Sequence, residues 1–234
     1  IFIYRICISF FIYIKYIMKY QSIYCCQNRP ICKKTFNAMK DLKKKLINFE
    51  LKIKKIYEKG KVKGPIHLSG GNESQLIKIF KKIRKNDWII SNWRSHYHAI
   101  LHGISEKKIL REILKGKSMS LNFKEHRFIA SSIVAGGIPI GLGIALAIKR
   151  KRQKNRVFIF VGDMTFETGV FYEAYKYAKN FKLPIKFIVE DNGLSTNTPT
   201  KNAWSIISKK PNDIIHYKYK RKFPHHGTGS WVLF

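Results

Sequence analysis

The fold is decided by the stretch Val157-Phe158-Ile159-Phe160-Val161-Gly162-Asp163. Five consecutive apolar residues with a preference for β structure predict a strand buried on both faces, as in a parallel sheet. Helical spacing follows over residues 165–181, and a second apolar strand is predicted over residues 185–189. A strand, a helix and a strand in this order form one βαβ unit. We therefore predict an α/β fold with a mainly parallel sheet flanked by helices.

Helical spacing also marks the region before this unit. From Asp41 onward, apolar residues recur on one helix face, and Gly60 ends this helix. The residues of that face are Leu42, Leu46, Phe49, Ile53 and Ile56. A second helix is predicted over residues 72–85 and a short buried strand over residues 88–90. Ser105 is predicted to cap the N-terminus of a further helix.

Between these elements and the βαβ unit, the pattern is weaker. Residues 117–131 show no period and predict a loop, and His96, His98 and His102 are expected to line a polar loop. Residues 144–149 predict a buried helix. The preceding Gly141-Leu142-Gly143 is not a dinucleotide fingerprint, because no strand leads into it. These glycines are interpreted as allowing a helix to pack closely against its neighbours.

Polar side chains follow both strands of the βαβ unit. Asp163 comes directly after the first strand, and Asn192 follows the second. Ligands of open α/β sheets bind at the carboxyl ends of strands, and neighbouring strands lie about 5 Å apart. A carboxylate, an amide and the start of a helix together suit magnesium bound to a diphosphate. The alternative is that Asp163 only caps the helix and Asn192 only turns the chain.

The charge balance raises a different possibility. The chain has 234 residues, with 46 Lys and Arg against 14 Asp and Glu, a formal charge of +32. Such a charge suggests nucleic-acid binding, which predicts cations along one face with aromatic residues between them. Here Lys is spread through every segment, which biased codon usage explains as readily. We therefore expect no nucleic acid as a partner.

Residues 1–38 form a basic, mostly apolar N-terminal segment without any acidic residue. Charges at Arg5 and Lys15 interrupt its apolar run, so a membrane helix is disfavoured. An organelle transit peptide has this composition too. We favour a third interpretation, in which the segment is upstream sequence and translation begins at Met18 or Met39. The four cysteines, at positions 7, 25, 26 and 32, match no common zinc spacing and are taken as incidental thiols.

Several motifs in order resemble those of a known family. Gly162-Asp163-Met164 and Glu190-Asp191-Asn192, with 29 positions between Asp163 and Asn192, resemble the thiamine-diphosphate signature, G-D-G closed by N-N. The chain resembles the α subunit of the 2-oxo acid dehydrogenases, such as the pyruvate and acetoin enzymes. Further matches cover residues 39–203. They lie at residues 60–73, Arg94-Ser95-His96, Ser118-Met119 and residues 133–147.

The resemblance implies a role for individual residues. Magnesium would be held by the side chains of Asp163 and Asn192 and the carbonyl of Leu194. Other positions would meet thiamine diphosphate: Trp93 and Arg94 near the diphosphate, the amides of Met164 and Thr165 on it, and Ser132 and Val134 at the aminopyrimidine. His67 would face the substrate, and His226 would belong to an active-site loop. Both histidines are taken as catalytic candidates.

The sequence departs from the family pattern in three places. Met164 replaces the third glycine of G-D-G, which is costly if that position needs a positive φ or a close approach to phosphate. Asp191 replaces the first asparagine of N-N and adds a second negative charge. The C-terminal region is short. We expect a thiamine-diphosphate-binding domain over residues 39–208 and a C-terminal strand and tail over residues 209–234.

The resemblance also implies activity and partners. Thiamine diphosphate would act as the electron sink for decarboxylation of a small 2-oxo acid. A β-type subunit would supply the glutamate that activates the cofactor, in a heterotetramer, and a lipoyl-bearing acyltransferase would accept the product. We expect a cytoplasmic location, or an organelle matrix if residues 1–38 are a transit peptide. Two alternatives stay open: the amino-terminal half of a split transketolase-like enzyme, and a degenerate scaffold without catalysis.

Overall fold

The computed structural model describes residues 30–205 and 207–232, with side chains from residue 37 onward. The chain divides into two compact units, Ile1–Lys44 and Lys45–Phe234. In the first unit, residues 30–44 lie in helix α1. The predictions for residues 1–29, including those for Cys7, Cys25 and Cys26, lie outside the described residues. Over the part of the chain that the structure describes, no helix has both the length and the apolar character needed to cross a membrane.

The described helices and strands alternate along the second unit. In chain order the elements are α1 (Pro30–Glu58), α2 (Glu73–Phe80), β1 (Trp88–Ser91), α3 (His96–Leu101), α4 (Glu106–Leu114), β2 (Asn122–Phe123), a 3-10 turn (Lys124–His126), β3 (Phe128–Ala130), α5 (Gly137–Arg150), β4 (Val157–Gly162), α6 (Asp163–Phe166), α7 (Gly169–Asn180), β5 (Ile185–Asp191), β6 (Leu194–Ser195), β7 (Thr198–Pro199), α8 (Thr200–Ala203) and β8 (Ile215–Lys218).

Six of these strands form one sheet in the order β2-β3-β1-β4-β5-β8. All neighbours are parallel except the β2–β3 pair at one edge. The predicted βαβ unit is confirmed, because β4 and β5 lie side by side with Gly162 opposite Glu190. The predicted α/β class with a mainly parallel sheet is confirmed as well.

Strand β4 is buried on both faces, as its unbroken apolar sequence predicts. Ile159 and Val161 lie in the core formed with α5 and α7. On the opposite face the ring of Phe160 stacks on Phe80 at 5.5 Å and lies 4.2 Å from the ring of His98. Each such side chain contributes about 1.5–3 kcal/mol when it is fully buried. The strand is therefore a rigid base for the residues at its carboxyl end.

Of the two glycines interpreted as packing positions, Gly141 does allow close packing, whereas a Cβ atom at Gly143 would meet no neighbouring atom within 4 Å. The helix is also longer than expected. Helix α5 begins at Gly137. A Cβ atom at Gly141 would lie 2.6 Å from Ile159 Cδ1, and one at Gly137 would lie 2.9 Å from Ile90 Cγ2. A side chain at either position would require the isoleucine that it meets to shift, or the helix to move away from strands β1 and β4.

Other segments also differ from the predictions, and helix α1 begins at Pro30 rather than at Asp41. Helix α2 ends at Phe80 rather than at residue 85, because Asp87 accepts a hydrogen bond from the Arg84 amide at 3.0 Å and closes a turn there. The helix predicted over residues 165–181 is interrupted. Thr168 caps a new helix, its hydroxyl oxygen accepting from the Phe171 amide at 3.4 Å.

Two further differences concern segments predicted as loops. Residues 117–131 contain β2 and β3, which are too short to show a period; β3 gains its hydrogen bonds by pairing with β1. His96 and His98 lie in helix α3, not in a polar loop, and are fully buried, while His102 caps that helix and is 8% exposed. Residues far away in sequence provide hydrogen-bond partners for the nitrogens of these rings. His96 Nδ1 lies 3.1 Å from both oxygens of buried Glu50.

Candidate cofactor and metal site

A cleft with an empty volume of about 710 Å³, partly open to solvent, lies at the carboxyl ends of β1, β4 and β5. Its walls come from the segments that directly follow these three strands, from the loop before α2, from Val134 before α5 and from the segment after β8. Because the strands are parallel neighbours, their carboxyl ends meet at one edge of the sheet.

Most of the predicted site residues meet in this cleft. From the ends of β4 and β5 they are Asp163, Met164, Thr165, Asn192 and Leu194. From the end of β1 and the loop before α5 they are Trp93, Arg94 and Val134. Ser132 is exposed and does not line the cleft. Eight predicted residues from four segments that are far apart in sequence are therefore brought to one place.

Asp163 is the buried carboxylate of the site, with only 4% of the residue exposed. Its Oδ2 accepts a hydrogen bond from the Thr200 hydroxyl. Its Oδ1 is buried and has no hydrogen-bond partner among the described residues. Burial raises the pKa of Asp163 above its ordinary value, the Thr200 hydrogen bond opposes this, and the charge of Asp191 raises it further. A cation bound at Oδ1 would supply the missing partner and would offset the cost of burying the charged carboxylate.

Asn192 and Leu194 are held by a local turn after β5. The Leu194 amide donates to Asn192 Oδ1 at 2.9 Å, and Asn192 Nδ2 donates to the Tyr219 hydroxyl at 3.2 Å. Burial, followed by the charge of Glu190, raises the pKa of Tyr219 to about 12. A carbonyl oxygen has two lone pairs, so Oδ1 keeps one that could face a cation.

Arg94 is one of two arginines that line the cleft, with Arg221, and its guanidinium is fixed by backbone oxygens. Its Nη1 donates to Leu68 O at 2.7 Å and its Nη2 donates to His225 O at 3.0 Å. The Arg94 amide donates to Asn92 Oδ1 at 2.8 Å. Two parts of the chain that are distant in sequence thus hold a positive group beside the predicted diphosphate position.

Neither of the two predicted catalytic histidines lines the cleft, and they lie in different surroundings. His67 is 7% exposed and its Nε2 lies 3.4 Å from His225 Nε2, while its ring is 5.9 Å from that of Trp93. Burial, then the charge of Arg94, lowers the pKa of His67 to about 3, so the ring is neutral near pH 7. His226 is exposed and does not line the cleft; its neighbour His225 does.

Met164 has no positive φ, because it lies within helix α6. The conformational cost that its replacement of glycine suggested is therefore absent. Its sulfur accepts a hydrogen bond from Trp204 Nε1 at 3.0 Å. The amides of Met164 and Thr165 belong to the first turn of α6, where amides have no partner within a helix.

Sequence reasoning assigned no role in the site to Glu190, which it quoted only as part of the motif Glu190-Asp191-Asn192. Glu190 is 4% exposed and lines the cleft. Its carboxylate receives hydrogen bonds from Asn72 Nδ2 at 3.0 Å, from Asn92 Nδ2 at 3.1 Å and from the Tyr217 hydroxyl, and lies 3.3 Å from His98 Nε2. Burial alone would raise the pKa of Glu190, but His98 and these donors lower it. No local signal reveals this network, since its donors come from four separate segments.

Known proteins of one family match the chain. Residues 42–211 match the family model described as the dehydrogenase E1 component. The pyruvate dehydrogenase E1 component subunit alpha of Rickettsia prowazekii is 34% identical over 180 residues, which cover 73% of this chain and 55% of that protein. The corresponding subunit of Rickettsia typhi is 33% identical, over 75% of this chain and 56% of its own length. The chloroplastic alpha-3 subunit of Arabidopsis thaliana is 31% identical, over 62% of this chain and 38% of its own.

The chain thus spans about half the length of the curated relatives it matches. The matched region begins within α1 and extends beyond α8, so it contains the three strands whose ends form the cleft. The resemblance noted in the motifs is confirmed by this match over most of the chain, and the chain belongs to the dehydrogenase E1 component family.

Proposed function

We propose that the chain is the α-type subunit of a 2-oxo acid dehydrogenase-like enzyme and binds thiamine diphosphate through magnesium, with a partner chain completing the active site. The observation that carries the proposal is the buried Asp163 Oδ1, which has no hydrogen-bond partner among the described residues and lies in a cleft formed by adjacent strand ends. A buried carboxylate oxygen without a donor is costly unless a ligand satisfies it.

The residues present suit magnesium. Among the described side chains, no three His, Cys, Asp or Glu residues cluster as a metal site built from such side chains would require. A cation held by Asp163, the amide oxygen of Asn192 and the carbonyl of Leu194 needs further oxygen ligands. Magnesium is typically bound by one or two carboxylates and completes its octahedron with substrate phosphate and water. The ligand set therefore favours a metal that arrives with a diphosphate.

Other residues would hold the remainder of the cofactor. The amides of Met164 and Thr165 are available to phosphate oxygens, and Arg94 would neutralise the charge of the diphosphate. Trp93 and Val134 line the same cleft, where Val134 would meet the aminopyrimidine. Ser132 stays a prediction for the same ring, and its exposed position outside the cleft lends it no support.

When bound, thiamine diphosphate supplies the electron sink that makes decarboxylation of a 2-oxo acid feasible. The chain's own contribution is to orient the cofactor and to present polar groups at the cleft. His67 is neutral near pH 7, so it could donate or accept a hydrogen bond at a substrate without carrying a charge. His226 stays a prediction, and His225 lies closer to His67.

Partners and substrate follow from the family. We propose a β-type chain that supplies the activating glutamate, in a heterotetramer, with a small 2-oxo acid as substrate. A lipoyl-bearing acyltransferase would take the product. We place the protein in the cytoplasm or in an organelle matrix. The name of the Arabidopsis thaliana relative assigns that protein to the chloroplast.

Calorimetric titration with thiamine diphosphate tests the proposal. We expect heat of binding in the presence of Mg²⁺ and none after chelation. Asp163→Asn, which keeps the size of the side chain, should abolish the Mg²⁺-dependent signal. Asp213→Asn is the matched control, because Asp213 pairs with Lys179 at 2.9 Å on the surface and does not line the cleft. Absence of binding with and without Mg²⁺ would instead support a scaffold without cofactor.

A further inference from the structure

Thr200 is tied to the predicted metal ligand Asp163 although 37 positions separate the two residues. Its hydroxyl donates to Asp163 Oδ2, and it is itself 6% exposed. The two oxygens of the carboxylate are therefore in different situations. Oδ2 has a protein donor, whereas Oδ1 is buried without a partner among the described residues.

The position of Thr200 depends on the turn that contains the other two predicted ligands. The Thr200 amide donates to Gly193 O at 3.0 Å, directly after Asn192. Strands β6 and β7 pair between Thr200 and this turn, with Leu194 opposite Pro199. The hairpin thus returns the chain from the end of β5 to the end of β4, and it places a hydroxyl beside the carboxylate of Asp163.

A second contact fixes the same hairpin from outside. Arg221 donates from Nη1 to Thr196 O at 2.6 Å and from Nη2 to Asn197 Oδ1 at 2.8 Å. The tip of the hairpin is thereby held to the segment after β8. Because the base and the tip of the hairpin are both held, Thr200 cannot move far from Asp163 without breaking these hydrogen bonds.

We propose that Thr200 is a positioning residue for the cation site: its hydroxyl holds Asp163 by Oδ2 and leaves Oδ1 as the metal ligand. The inference rests on the proposed function. Without a donor on one of its oxygens, the carboxylate of Asp163 could rotate and present either oxygen to the cation. A fixed donor on one oxygen removes this freedom and selects one coordination geometry. Partners that orient metal ligands in this way typically change metal affinity about 10–100-fold when they are removed.

A role in orientation can be separated from a merely structural role by comparing two cations. Mg²⁺ requires nearly ideal octahedral geometry, whereas Ca²⁺ accepts variable coordination. A carboxylate that is free to rotate should therefore impair Mg²⁺ more than Ca²⁺. General loosening of the fold would weaken the binding of both cations to the same extent.

The experiment uses the full-length chain together with any chain that co-purifies with it. Calorimetry gives the concentration of Mg²⁺, and separately of Ca²⁺, at half-maximal binding of thiamine diphosphate. For Thr200→Val, which keeps the shape and removes the donor, we expect this concentration to rise at least about 10-fold for Mg²⁺. For Ca²⁺ we expect a rise below about threefold. Thr200→Ser keeps the donor and should stay near wild type with both cations.

Equal losses for both cations, or an unchanged Mg²⁺ requirement in Thr200→Val, overturn the inference. If Thr200→Val does not fold, Thr200→Ala is compared with Thr200→Ser in the same two titrations, with the same expected difference. If the wild-type chain shows no Mg²⁺-dependent binding at all, the proposed function fails first, so the two failures are distinguishable.

Discussion

Replacing Glu190 by glutamine should destabilise the fold although it hardly changes the size of the side chain. Three polar groups donate to the carboxylate, Asn72 Nδ2 and Tyr217 Oη at Oε1 and Asn92 Nδ2 at Oε2. His98 Nε2 lies 3.3 Å from Oε1 and is a fourth donor in the tautomer that carries the proton on Nε2. An amide nitrogen must face at least one of them. In the least costly orientation it faces Asn92, which loses its acceptor.

The magnitude follows from that single loss. A charge-assisted hydrogen bond contributes about 1.5–3 kcal/mol, and a buried donor without an acceptor costs about 1–3 kcal/mol. Loss of the charge also weakens the bonds that remain. We therefore expect Glu190→Gln to lower the free energy of unfolding by about 3 kcal/mol.

Urea unfolding measures this change as a lower midpoint at an unchanged slope. The double variant Glu190→Gln with Asn92→Asp tests the cause, because the new amide at 190 could then donate to a carboxylate at 92. Asn92 Oδ1 accepts from the Arg94 amide, and a carboxylate at 92 would keep that bond. A stability of Glu190→Gln within about 0.5 kcal/mol of wild type, or no recovery in the double variant, would refute the reasoning.

Three further changes test other parts of the structure. The pKa of His67 is about 3 in the folded chain and ordinarily 6.5, so the unfolded chain binds more protons between pH 3 and pH 6.5. The free energy of unfolding should therefore fall as the pH drops from 6.5 to 3. His67→Asn should flatten that part of a stability profile measured by urea unfolding. Gly141→Val should lower the free energy of unfolding by about 1–3 kcal/mol, because a Cβ atom there would lie 2.6 Å from Ile159 Cδ1. Gly143→Val is the control, because a Cβ atom at that position has no neighbouring atom within 4 Å. Equal effects of the two variants in thermal unfolding would contradict the packing argument. Met164→Ala keeps the backbone amide and should leave thiamine diphosphate affinity within about threefold, and a larger calorimetric loss would show that the thioether itself contacts the cofactor.

The strands at the centre of the sheet were predictable, whereas its edge was not. Strands β4 and β5 are long enough, and apolar enough, for the composition of each to indicate burial on both faces. Strand β3 has three residues, and its pairing with β1 decides its structure. Helix α3 was missed for a related reason. Its buried histidines resemble a polar loop until Glu50 and Glu190, far away in sequence, are seen to satisfy them.

The site divides in the same way. Asp163 and Asn192 were identified because they follow the two clearest strands, and the family motifs added Trp93 and Arg94. Glu190 and Thr200 carry no local signal of their own. Their roles depend on hydrogen bonds that span 118 positions to Asn72 and 37 positions to Asp163.

The sequence by itself determined the class of fold, the two strand ends that carry the site and the family to which the motifs point. These features rest on local patterns of burial and on the order of residues along the chain. Only the tertiary structure decided which oxygen of Asp163 is left without a partner among the described residues and which histidine faces His67. It also decided that the carboxylate of Glu190 accepts hydrogen bonds from separate segments of the chain. Those facts depend on contacts between segments far apart in sequence, and hydrogen bonds and burial are properties of such contacts.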